Sequence, residues 1–205
     1  MPFAENSYVV WVEGNDAVVV DPGFEPELIL EFLAQRKLGV AAIVNTHGHS
    51  DHIAGNAAMK RAYPAVPIII GVRDAPMLTD AKLNLSAGYG FDVISPPADR
   101  TVTGGDVLTH AGMEWEVRDL PGHSPGHVVY LVRGTTPLMV LGGDVLFAGG
   151  VGRYDFPGGS FNQLRSGIRS QLYTLPDDTQ VYPGHGPPTT IGVEKRTNPF
   201  VAGDD

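Results

Sequence analysis

Short apolar runs recur along the chain, and most end in turns built of glycine, proline, aspartate or histidine. Residues 7–12 and 17–21 predict two β-strands, and Glu13-Gly14-Asn15-Asp16 between them is a hairpin signal. Asp21-Pro22-Gly23 then turns the chain into residues 25–37, where Leu28, Ile29, Phe32 and Leu33 share one helical face. Pro26 suits the first turn of that helix, and Gly39 lies just past its end. Residues 41–44 are continuously apolar, the pattern of a strand buried on both faces. A second helix is predicted over residues 52–63, stopped by Pro64 and capped by Ser50 or Asp51. Residues 66–70 predict another buried strand, residues 75–80 a short helix, and residues 106–109 and 114–120 two more strands. Farther on, Ser160-x-x-Gln163 is a capping box opening a helix with Phe161, Leu164, Ile168 and Leu172 turned inward.

Four of the strands end alike. Residues 41–44 lead into Thr46-His47-Gly48-His49-Ser50-Asp51-His52, and residues 115–120 into Pro121-Gly122-His123. Residues 138–141 lead into Gly142-Gly143-Asp144, and residues 180–182 into Pro183-Gly184-His185. Groups placed just past the carboxyl ends of several strands converge on one rim of a sheet. Imidazole nitrogen and carboxylate oxygen are the ligands that suit zinc, iron or manganese. Gly48 permits a tight turn between the first two histidines. A solvated polar loop would account for a lone His-x-His. It does not account for His-x-His-x-Asp-His delivered by a buried strand. The remaining histidines read differently. His127 opens a predicted strand over residues 127–132 as a structural hydrogen-bond partner, and His110 is expected at the surface. Trp11 and Trp115 are expected to pack in or beside the core.

Composition narrows the classes. The 205 residues, 42% hydrophobic and 18% charged, suffice for one domain with a substantial core. Twenty-three acidic against fourteen basic residues leave a net charge of -9, and lysine and arginine never form a run, which argues against a nucleic-acid surface. The absence of cysteine removes disulfides and thiolate ligands. The first eight residues lack the basic and apolar regions of a secretory signal, and every apolar run falls far short of the ~20 residues of a membrane helix. The expectation is a cytoplasmic protein that engages neither membrane nor nucleic acid.

With these residues in order, the chain resembles the metallo-β-lactamase superfamily. Its mark is a Thr-His-x-His-x-Asp-His turn followed by a distant histidine, an aspartate and a final histidine. Asp21-Pro22-Gly23, Pro121-Gly122-His123-Ser124-Pro125-Gly126-His127, Gly143-Asp144-Val145-Leu146-Phe147 and Pro183-Gly184-His185-Gly186 extend the likeness. Within the superfamily the chain is most similar to short relatives of glyoxalase II (hydroxyacylglutathione hydrolase). Gly150-Val151-Gly152-Arg153-Tyr154-Asp155-Phe156-Pro157-Gly158-Gly159 and the tail Thr189-Thr190-Ile191-Gly192 with Asn198-Pro199-Phe200 carry that closer match. The resemblance implies an α/β fold, a four-layer αββα sandwich spanning residues 1–205 as one domain. The C-terminal helical substrate region of full-length glyoxalase II would be missing. It also implies that His47, His49 and His123 hold a first metal ion and that Asp51, His52 and His185 hold a second. Asp144 would bridge the two, and Asp21 would stand behind a ligand and fix its orientation.

The expected cofactors are two divalent ions, zinc foremost, with iron or manganese as alternatives. The expected reaction is hydrolysis of a small-molecule thioester such as S-lactoylglutathione, or another glutathione conjugate, by a metal-bridging hydroxide. Asp51 and Asp144 would serve the chemistry. Arg153 stands where the family has a basic substrate contact, although a salt bridge to Asp155 accounts for it equally well. Tyr154 reads as packing. The rival expectation is a mononuclear-iron persulfide dioxygenase on the same scaffold, which the Gly152-Arg153-Tyr154-Asp155 stretch echoes, or a lactonase.

Overall fold

A computed structural model describes residues 4–202. Its first sheet runs β1 (Tyr8–Val10), β2 (Ala17–Val20), β3 (Val40–Val44), β4 (Ile68–Gly71) and β5 (Arg100–Val102), in that spatial order. The β1–β2 hairpin is antiparallel and the remaining pairs are parallel. Helix α1 (Pro26–Arg36) links β2 to β3, and α2 (Ser50–Ile53) with α3 (Asn56–Ala62) links β3 to β4. The second sheet is built from β6 (Val107–His110), β7 (Met113–Asp119), β8 (Val128–Arg133), β9 (Met139–Gly143), β12 (Gln180–Pro183) and β13 (Thr189–Thr190). A small hairpin, β10 (Leu146–Phe147) and β11 (Gly150–Val151), leaves β9, and α4 (Phe161–Gly167) and α5 (Ile191–Thr197) complete the chain.

Alternation along the strands sorts the apolar side chains into three cores. Val18, Val20, Ala42, Val44 and Ile69 face Trp115, Val117, Val128, Tyr130 and Val132 between the two sheets. The opposite faces of the same strands, through Val19, Ile43, Ile68 and Ile70, bury Ile29 and Leu33 of α1 and Met59 of α3. On the far side, Val129, Leu131, Val140 and Val181 cover Leu164, Ile168, Leu172 and Ile191. Helix, sheet, sheet, helix is therefore the layer order, and continuous apolar strands follow because both faces of each sheet are covered.

Several details depart from the sequence expectation. The helix expected over residues 52–63 is two helices, because the Gly55 amide leaves the helical ladder to donate to the Pro22 carbonyl at 2.7 Å. Its first turn starts at Ser50, with His49 in the cap position and no side-chain capping bond, so neither Ser50 nor Asp51 is the cap. Leu28 is 60% exposed, since the register of α1 turns Pro26, Ile29 and Leu33 to the sheet instead. Strand β5 was not expected. Arg100-Thr101-Val102 has one apolar residue, and pairing with β4 rather than local pattern makes it a strand. His110 ends β6 partly buried instead of lying free at the surface. The Ser160 hydroxyl does accept from the Gln163 amide, at 3.4 Å, opening α4. Among the described residues no helix is long and apolar enough to cross a membrane.

Candidate metal centre

Strands β2, β3, β7, β9 and β12 run toward one edge of the sandwich, where they deliver Asp21, His47, His123, Asp144 and His185. The turn after β3 is fully buried. Asp21 accepts the Thr46 amide at 2.7 Å and the Thr46 hydroxyl at 2.6 Å, which pins the entry to the histidine turn. Gly48 serves close approach here, for a Cβ at this position would lie 2.6 Å from the Met77 Cβ. Gly184 does the same beside His185, where a Cβ would fall 2.2 Å from Asp144 Oδ1.

The candidate ligands gather in two groups. His47, His49 and His123 present nitrogens within 4.8 Å of one another, and so do the ligand atoms of Asp51, His52 and His185. Asp144 stands between the groups. Its Oδ1 lies 3.5 Å from His52 Nε2, and its Oδ2 lies 3.6 Å from His123 Nε2 and 3.4 Å from His185 Nε2. His185 Nε2 is also 3.4 Å from Asp51 Oδ2. A third set of close atoms, Asp21 with His47 and His52, has a different use. Both Asp21 oxygens are occupied by Thr46, and Oδ2 also meets His52 Nδ1 at 3.1 Å. Asp21 is thus hydrogen-bonded to the turn and to a candidate ligand ring.

Hydrogen bonds behind the rings set their tautomers. The Thr46 hydroxyl spends its one proton on Asp21, so at 3.1 Å it must accept from His47 Nδ1. His123 Nδ1 donates to the Arg153 carbonyl at 2.7 Å, and His185 Nδ1 to the Ala4 carbonyl at 3.0 Å. In the neutral rings these bonds leave the Nε2 lone pairs facing inward. His47 Nε2, His52 Nε2 and Asp144 Oδ1 are buried with no hydrogen-bond partner among the described residues. Orphaned acceptors of this kind are costly unless something satisfies them, and a divalent cation fits this set of nitrogens and oxygens. His127 lies outside these candidate groups. Its Nε2 accepts the Asp144 amide at 3.0 Å, and its ring stacks on His47 at 4.9 Å, the structural role expected for it.

The two groups are tuned in opposite directions. Burial, then neighbouring imidazoles, pushes the pKa of His47 and His49 well below its ordinary value; burial also lowers His123. Burial likewise opposes charge on His52, yet Asp144, Asp51 and Asp21 outweigh it and raise its pKa. The hydrogen bond with Asp51 raises His185. Asp51 is held below the usual carboxylate range, against burial, by His52 and His185.

Three polar residues escaped sequence reasoning. Burial pushes the Glu5 carboxyl up to about 9, behind His52 at 3.9 Å. Asn6 ties the loop of His185 to the amino-terminal segment, donating to the Pro183 carbonyl at 3.1 Å and the Gly186 carbonyl at 2.7 Å. Asp74 is fully buried next to the histidine turn. A run of polar residues just before an apolar strand, Glu5-Asn6-Ser7, is the only local signal for the first two.

A cavity of about 280 Å³ opens over the cluster. It is lined by His49, Asp51, His123, Asp144 and His185 together with the apolar and aromatic side chains of Leu85, Tyr89, Phe147, Val151 and Phe156. Arg153 lies at this mouth, bidentate to Asp155 with both contacts at 2.9 Å, and its guanidinium stands 4.1 Å over the Phe156 ring. Tyr154 packs on Phe161.

The family model of the metallo-β-lactamase superfamily matches residues 1–185. The chain belongs to the metallo-β-lactamase superfamily. Hydroxyacylglutathione hydrolase GloC of Haemophilus influenzae is 34% identical over 97% of this chain and 93% of its own. The crystal structure of BLEG-1 B3 metallo-β-lactamase superposes with a TM-score of 0.94 at 35% identity, covering 99% of this chain and 97% of that one. TTHA1623 in a di-iron-bound form is 39% identical, with a TM-score of 0.86 over 98% of this chain and 96% of that one. The αββα sandwich is thus the metallo-β-lactamase fold, and its histidine–aspartate clusters mark a metal-dependent hydrolase of that superfamily.

Proposed function

We propose that the protein is a dinuclear metal-dependent hydrolase that cleaves thioesters, S-lactoylglutathione among them, with zinc as its metal. The observation that carries this reading is the Asp144 carboxylate, whose two oxygens address both histidine groups at once. His47, His49 and His123 would hold one ion, Asp51, His52 and His185 the other, and Asp144 both. When bound, such a pair of ions acidifies water and polarises a carbonyl oxygen.

The chain's own residues supply the rest. Asp51 lines the cavity, charged at neutral pH, where it can orient water toward a carbonyl carbon. The apolar walls exclude bulk water from the scissile bond. The departing thiolate needs no strong acid, since a free thiol has a pKa of ~8.5. The Arg153–Asp155 pair is exposed and screened by solvent, so a substrate carboxylate can compete for the guanidinium. The name of the Haemophilus influenzae relative supports a glutathione thioester.

The rival, a mononuclear-iron persulfide dioxygenase, draws on the Gly152-Arg153-Tyr154-Asp155 stretch, whereas the iron-bound relative TTHA1623 holds two irons. Protein loaded separately with zinc, manganese and iron, then assayed on thioesters, lactones and persulfides with an oxygen electrode, separates the two. The expected result is thioester cleavage without oxygen uptake. Oxygen uptake with glutathione persulfide and no thioester cleavage would overturn it.

A further inference from the structure

Between the turn that carries His47 and His49 and the loop that carries His123 lies a fully buried carboxylate, Asp74. It follows β4, where its amide donates to the Gly71 carbonyl at 3.0 Å and its own carbonyl accepts from the Met77 amide at 2.9 Å. The side chain reaches in both directions. Oδ2 accepts the Gly48 amide at 3.1 Å and the Ser124 hydroxyl at 2.5 Å, and Oδ1 accepts the Gly126 amide at 2.6 Å. Gly48 separates the first two histidines of the cluster, and Ser124 follows the third. One carboxylate therefore ties together the two backbone segments that supply all three imidazoles. Burial raises the pKa of this carboxyl, while the three donors on its two oxygens favour the acceptor-only, ionised form. Among the described residues its side-chain partners are two backbone amides and a hydroxyl.

We propose that Asp74 is the positioning residue of the three-imidazole site, setting the distance between the His47–His49 turn and His123 and hence the affinity of that site for its ion. The proposal rests on the reading of His47, His49 and His123 as ligands. It assigns no proton transfer and no substrate contact to Asp74. Loss of a partner that orients ligands typically costs 10–100-fold in metal affinity.

The test is Co(II) binding to full-length, metal-free protein, followed by visible absorption and chelator competition. An Asp51→Ala/His185→Ala background isolates the three-imidazole site, and a His47→Ala/His49→Ala background isolates the other. In the first, Asp74→Asn is expected to weaken Co(II) binding about 10–100-fold and to change the absorption bands. In the second it should shift affinity less than about threefold. Ser124→Ala, a milder deletion in the same network, covers the case in which Asp74→Asn does not fold. It should weaken the first site in the wild-type background and add little in Asp74→Asn. First-site affinity within twofold of wild type in the folded variants, or equal weakening of both sites, would overturn the proposal alone. A wild-type protein that takes up no Co(II) would overturn it together with the ligand assignment.

Discussion

The two halves of the centre use the same side chain under opposite conditions. His47, His49 and His123 are sealed in, with their backbone segments tied together by Asp74, and burial keeps their rings neutral. His52 and His185 sit among carboxylates that favour the charged ring, and the His185 side chain remains 29% exposed. The first group is a set of neutral rings, two of which share a hydrogen bond, His49 Nδ1 to His123 Nε2 at 2.8 Å. The second is a set of ion pairs that must give up protons before it can ligate. Imidazole is not one ligand but two, according to what surrounds it.

Breaking the shared element should have the largest effect. Asp144→Ala is expected to abolish occupancy by a second ion and to lower kcat on the order of 10³-fold, measured by metal analysis beside thioester turnover. Full turnover in this variant would contradict a shared carboxylate. Next comes the amino-terminal strap. Asn6→Ala removes two bonds to the loop of His185 and should weaken the second site about 10-fold while sparing the first, read by competition with a chelator.

Acid and alkali should also separate the groups. In the metal-free protein His47, His49, His123 and His127 have lowered pKa values, so their contribution is present above the unfolded value of about 6.5 and is lost as pH falls below it. His52 and His185 have raised values, so theirs is present below about 6.5 and is lost as pH rises through the folded values. Glu5, raised from 4.5 to about 9, adds a loss that runs across that whole span as pH rises. Thermal melts of chelator-treated protein are expected to peak near about pH 6.5 and fall on both sides. A melting temperature rising steadily to pH 9 would be at odds with the tuning. The smallest effect belongs to the rim, where Arg153→Ala should raise KM for a carboxylate-bearing thioester about 2–5-fold and leave kcat unchanged. A drop in kcat would place Arg153 in the chemistry.

Much of the centre was legible because its signals are local. Thr46-His47-Gly48-His49-Ser50-Asp51-His52 is contiguous, and the other residues each follow an apolar strand at the same relative position. The continuous apolar pattern of residues 41–44 marked a strand covered on both sides, which the layers bear out. What escaped is what long-range contacts create. Asp74 meets Ser124 across fifty positions, and Asn6 meets Gly186 across 180. Strand β5 exists through its neighbour β4, and Leu28 was lost to a register that helical periodicity defines only within a residue. Gly48 was legible as a turn residue, whereas the structure uses it for contact with Met77, which no local pattern announces.

Stepwise titration of the metal-free protein with Zn(II), by calorimetry in two buffers of different ionisation enthalpy and with thioester turnover followed alongside, tests the unlike halves most directly. Two ions per chain are expected, the first entering the three-imidazole group with little proton release and the second releasing about one to two protons as turnover appears. One ion per chain with full turnover, or equal proton release at both steps, would contradict it.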